Sequence, residues 1–181
     1  MNRIATIKGN TLLINGMAAL IAAGLYFLVF KGVWDVQMPE ERPGIITLVI
    51  FLFGFIVVHE GIHGAAALLF VDRRRISFNA KWLVVICKVD GTMTRGEYLF
   101  YALAPATLLG LIGIAFYYVA GSVEQRFLAA LLFLGGVSGG GGDFWFASQV
   151  VKYPKECLVI DRGIEIEVYL NDSAQDSGGM K

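Results

Sequence analysis

The sequence predicts an all-α integral membrane protein: four transmembrane helices, with short cytoplasmic strands or hairpins between helices two and three and after helix four. Three observations predict it. Of 181 residues, 56% are hydrophobic and 17% charged, against about 25% charged and under half apolar in an average soluble domain. The apolar residues are gathered into long blocks rather than spread along the chain. Lys and Arg are concentrated in alternate loops between those blocks.

The blocks cover residues 12–30, 45–70, 98–119 and 127–151. Each is near or beyond the roughly 20 residues that cross about 30 Å of hydrocarbon. The first lacks a small-residue cleavage pattern and reads as a span rather than a signal peptide. Residues 1–170 are therefore expected to form a single membrane-embedded domain. The tail 171–181, NDSAQDSGGMK, is polar and expected to be disordered.

Orientation follows from the loops. The segment after the second block carries Arg73, Arg74, Arg75, Lys81, Lys88 and Arg95. The N-terminus has Arg3 and Lys8, and the segment after the fourth block has Lys152 and Lys155. The other two loops hold only Lys31 and Arg42, and Arg126. Positive residues stay on the cytoplasmic side, so both termini and the central loop are expected there, in a multi-pass protein of the cell membrane. A topology signal is also the reading of the Arg73-Arg74-Arg75 run. Formal net charge is zero, which predicts no nucleic-acid partner. Cys87 and Cys157 make neither a disulfide framework nor a zinc-ribbon spacing and are read as reduced bystanders.

The central loop alternates over Arg75–Asn79 and is rich in β-branched and aromatic residues over Trp82–Val89, up to Asp90-Gly91. It reads as strands. A second hairpin is expected from Leu158-Val159-Ile160 through a turn at Asp161-Arg162-Gly163 to Ile164–Leu170.

Chemistry enters with His59-Glu60-Gly61-Ile62-His63, inside the second block. On a helix, histidines at i and i+4 share a face, and both imidazoles reach one zinc ion with the Glu beside its water as general base. The chain has two histidines, and random placement would build this pattern on the order of once in two thousand sequences. Ionisable groups are costly in hydrocarbon and mark functional sites. Away from their ends the four spans hold only His59, Glu60, His63 and Asp143. A catalytic zinc takes three protein ligands and keeps one open position. His59, His63 and Asp143 are the candidate ligands, and Glu60 is the candidate base. Counted from the cytoplasmic helix ends at 1.5 Å per residue, all three ligands lie roughly 10–17 Å deep. Glu97, at the start of the third span, is the rival third ligand; its plain reading is a first-turn carboxylate favoured by the helix dipole. The run Gly135-Gly136-Val137-Ser138-Gly139-Gly140-Gly141-Gly142 before Asp143 predicts a fourth helix that is broken or closely apposed to the motif helix.

Three elements together carry a family resemblance: the HEGIH helix, the Tyr98-Leu99-Phe100-Tyr101-Ala102-Leu103-Ala104-Pro105 entry to the third span, and the late Gly-Gly-Asp143. They resemble the zincin peptidase family of bacterial membrane proteins, which is similar in layout to the site-2 protease intramembrane metalloproteases. The resemblance covers about residues 45–151. It implies zinc on His59, His63 and Asp143 and Glu60 as catalytic base; with such a site inside the membrane, the expected substrate is a transmembrane or membrane-associated protein. Site-2 proteases carry their aspartate in a longer motif with an Asn; here Asp143 is followed by Phe144-Trp145 with no Asn in that block, so no oxyanion stabiliser is identified. The resulting expectation is a zinc-dependent intramembrane metalloprotease. Two other readings stay open at this point: a membrane zinc hydrolase of a non-protein amide, and an inactive zinc-binding membrane scaffold.

Overall fold

The computed structural model describes residues 1–34, 36–41, 44–81 and 84–170. Strand β1 (Asn2–Lys8) leads into helix α1 (Thr11–Tyr26), which continues as a π-helical stretch over Phe27–Val33. Helix α2 (Ile45–Ala67) is followed by strands β2 (Ile76–Lys81) and β3 (Val84–Thr94). Helices α3 (Arg95–Val119), α4 (Val123–Gly139) and α5 (Gly141–Val150) come next, then β4 (Leu158–Asp161) and β5 (Glu165–Leu170). Four helical runs are long and apolar enough to cross a membrane: Thr11–Val33, Ile45–Ala67, Arg95–Val119 and Val123–Val150. They match the four expected blocks.

The strands correct the all-α expectation. They form one five-stranded antiparallel sheet in the order β1-β5-β4-β3-β2. The two expected hairpins are present, but they join each other through β3 and β4. The N-terminal segment, read from the sequence only for the charges of Arg3 and Lys8, adds β1 against β5, from Asn2 opposite Leu170 to Lys8 opposite Glu165. Satisfying the ladder groups of β5 is what this strand supplies. A second correction concerns β3, which does not end at Asp90-Gly91. It runs on to Thr94, with its register against β4 shifting between Val89 and Met93. Gly91 lies there because a Cβ would collide with the Val71 side chain. Trp82 and Leu83 of the expected strand, Arg42 of the charge pattern, and the tail from Asn171 lie outside the described residues.

The chain divides into two compact units. One, the sheet unit, comprises Met1–Asn10, Glu60–Leu103 and Asp143–Lys181; the other, the helical unit, comprises Thr11–His59 and Ala104–Gly142. In the sheet unit the buried core is formed by Val89, Met93, Val159, Ile166 and Val168, with Tyr98 equally buried on α3. The turn between β4 and β5 is closed by Gly163, whose φ of 87° is open to glycine and strained for other residues.

In the helical unit Val29, Phe30, Val36, Phe127 and Ala130 form a cluster. Trp34 stacks on Tyr117 at 4.2 Å, and the Tyr117 hydroxyl donates to the Trp34 carbonyl at 2.6 Å. Helix α4 starts with Ser122 accepting from Gln125 N at 3.3 Å, an N-cap. It ends at Gly139, and α5 restarts at Gly141. The fourth helical run is thus broken inside its glycine stretch, one of the two forms expected. The same glycines allow close packing: a Cβ at Gly136 would lie 2.7 Å from Leu109 Cβ, and one at Gly135 would lie 3.3 Å from the Phe55 ring of α2.

Candidate metal centre

The second half of α2 carries the motif. His59 and His63 stand four residues apart with Glu60 next to His59, and one ligand atom of each lies within 4.8 Å of the others. Both histidines are buried. The i, i+4 spacing read from the sequence therefore does bring both imidazoles and the carboxylate together.

Within the sheet unit, specific hydrogen bonds hold Glu60 and His63. Glu60 Oε2 accepts from the backbone N–H of Cys87 on β3 at 2.7 Å, a charge-assisted contact that fixes the carboxylate. His63 Nδ1 lies 3.1 Å from the carbonyl oxygen of Tyr101 on α3. A carbonyl only accepts, so Nδ1 carries the proton. His63 Nε2 lies 3.3 Å from Asp143 Oδ1. In the neutral ring with its proton on Nδ1, the Nε2 lone pair faces a carboxylate oxygen. Two acceptors at that separation require a positive charge between them or on the ring. A shared metal ion meets that need, and two imidazoles with carboxylates are a donor set suited to zinc.

Asp143 stands in the first turn of α5, just past the glycine break. Its placement beside His63 joins the far end of the chain to the motif. Glu97 does not join them. It closes a capping box at the start of α3, with Glu97 Oε2 accepting from Thr94 N at 2.7 Å and Thr94 Oγ1 accepting from Glu97 N at 3.4 Å. This is the plain reading of that residue.

Residues 51–158 match the family described as "Putative zincin peptidase". The chain belongs to that family. No curated protein and no solved structure matches the chain. For a zincin peptidase the His59-Glu60-Gly61-Ile62-His63 helix is the signature element, and membership implies a zinc metallopeptidase. The match also covers Tyr101, Cys87 and Asp143 and ends at Leu158, the first residue of β4.

Beyond the matched residues lies a group that the sequence did not single out. Asp161, at the end of β4, is buried. Its Oδ1 accepts from Gly163 N at 2.6 Å, and the carboxylate hydrogen-bonds the Tyr101 side chain. Burial pushes its carboxyl up to about 6, against the hydrogen bonds from Gly163 and Tyr101 and the nearby His63, with the Asp143 charge pushing the same way as burial. In sequence Asp161 reads as a turn former, and that is half of its role. Cys87 is the second such group. Its thiol is buried and pushed up to about 12, by burial first and by the charges of Glu60 and Asp161. It is a neutral packing group beside the site, and its backbone N–H is the part that reaches Glu60.

Proposed function

We propose that this zincin peptidase is a zinc-dependent intramembrane metalloprotease that hydrolyses peptide bonds of membrane-associated proteins. The observation that carries the proposal is the opposition of His63 Nε2 and Asp143 Oδ1 at 3.3 Å, with Nδ1 already committed to Tyr101. His59, His63 and Asp143 are the zinc ligands in this reading, and Glu60 is the general base. Zinc, when bound, supplies Lewis acidity toward a carbonyl and brings the pKa of water toward ~7. Glu60 then takes a proton from the attacking water as its oxygen bonds to the carbonyl carbon. The same carboxylic acid returns that proton to the nitrogen as the C–N bond breaks. The Cys87 N–H keeps Glu60 oriented through both transfers.

Membrane placement rests on the four helical runs and on the sheet. Strand pairing draws the N-terminus, the α2–α3 connection and the segment after α5 into one sheet. In this reading those three segments share one side of a bilayer, in keeping with an even number of crossings between them. The Lys and Arg pattern selects the cytoplasmic side, with the termini there. The substrate class proposed is a transmembrane or membrane-associated protein.

The test is quantitative proteomics of membranes from cells carrying wild-type protein or Glu60→Gln. Membrane-anchored proteins should accumulate uncleaved with the variant. Accumulation of a lipid-linked amide instead would transfer the same chemistry to a non-protein substrate. Undiminished activity in Glu60→Gln would refute the general-base role.

A further inference from the structure

We infer that Pro105 is a positioning residue for the metal centre: lacking a backbone N–H, it leaves the Tyr101 carbonyl to hold His63 in the tautomer whose Nε2 faces Asp143. The inference rests on the reading that His63 is a zinc ligand.

The cause lies in helix geometry. In an α-helix the N–H of residue i+4 donates to the carbonyl of residue i. Tyr101 and Pro105 are such a pair, both inside α3 (Arg95–Val119). Proline has no N–H to give and is the least favourable residue for a helix interior. Pro105 is nevertheless fully buried in an unbroken helix. A buried carbonyl robbed of its helical donor needs another partner. The partner at 3.1 Å is His63 Nδ1. The vacancy created by proline and the donor required by the imidazole meet at one oxygen.

The rest of Tyr101 is built to keep that oxygen in place. Its side chain hydrogen-bonds both Asp161 and Cys87, and its ring centroid lies 4.8 Å from that of His63. The outer-shell acceptor of a ligating histidine fixes its tautomer and orientation. Here that acceptor is a backbone atom, so no side-chain pattern in the sequence betrays it; the proline four residues later does.

A plain structural proline and a positioning proline differ in the sign of their effects. Pro105→Ala restores the N–H and removes the worst helix residue. If Pro105 is a positioning residue, the zinc-free variant is at least as heat-stable as wild type, while its zinc affinity falls about tenfold to a hundredfold in chelator competition. In the zinc-free variant in mildly acidic buffer, where the His63 ring carries both N–H groups, the Nδ1–H proton resonance should move upfield as the restored N–H competes for the Tyr101 carbonyl. A second variant carries at position 105 the α-hydroxy analogue of alanine, whose ester lacks the N–H without a ring. It should restore wild-type affinity and resonance. An unchanged resonance with affinity within about twofold in Pro105→Ala overturns the proposal. So does loss of both fold and zinc binding, or failure of the ester to rescue. If wild-type protein binds no zinc at all, the ligand reading fails, and the zinc-free resonance comparison still decides the role of Pro105.

Discussion

Helix α2 runs through two kinds of surroundings. Its first half presents large apolar side chains outward, with Ile45 74% and Ile50 68% exposed; in its second half His63 is 4% and Ala67 0% exposed. The helical unit as a whole follows the first pattern, held by aromatic stacking and glycine contacts. The sheet unit follows the second, held by individual hydrogen bonds to Glu60, His63 and Asp161. A helix that is apolar on all sides is suited to an apolar solvent, and almost any apolar residue serves there. At the motif Glu60 Oε2 and both ring nitrogens of His63 meet specific polar atoms, and few substitutions serve. Stability in one unit is a matter of shape, and in the other of donors and acceptors.

That contrast can be broken or sharpened by experiment. The largest effect is expected for Glu60→Gln, which should lower turnover about 10²–10⁴-fold while zinc content and melting temperature stay at wild-type values. A matching loss of stability would show that Glu60 is part of the scaffold rather than the chemistry.

Next comes the pH dependence of Asp161. Its folded carboxyl titrates near 6, above the ordinary 3.8. The folded protein therefore keeps a proton that the unfolded chain releases, and stability falls as pH rises from about 4 to about 6. The size is on the order of 3 kcal/mol. Asp161→Asn should remove this slope, so thermal unfolding of the two proteins should diverge across that window and run parallel above it. A constant difference would contradict the burial argument.

In the helical unit, Gly136→Ala should cost about 1–3 kcal/mol, because its Cβ would sit 2.7 Å from Leu109 Cβ. Gly24→Ala, where a Cβ meets nothing within 4 Å, should be neutral or stabilising by about 0.5–1 kcal/mol. Denaturant titration of the pair reads the difference, and equal effects would remove the close-approach explanation. The smallest effect concerns the cysteines. Both are buried and their thiols are pushed upward, Cys87 to about 12, so neither should react with maleimide in the native protein at neutral pH.

How much of this was legible in the sequence follows from the same contrast. The four long apolar helical runs were readable because such blocks need only composition. Motif residues were readable because two histidines at i and i+4 encode their own geometry, and Asp143 because an acid in an apolar block has few explanations. The hairpin at Asp161-Arg162-Gly163 was local and announced its turn. The β1–β5 pairing was not readable, since Asn2 meets Leu170 across nearly the whole chain and no local pattern specifies a distant partner. Nor was the second role of Asp161, because a turn aspartate and a buried one look alike until the fold sets Tyr101 beside it. The hydrogen bonds from Cys87 N and to Tyr101 O use backbone atoms that every residue carries.

The most direct test of the central claim is metal analysis of the full chain purified without chelators. One zinc per chain is predicted for wild type and for Glu60→Gln, with loss of tight binding in His59→Ala, His63→Ala and Asp143→Ala. A zinc-free wild-type protein, or an Asp143→Ala variant that binds zinc as tightly as wild type, would contradict it.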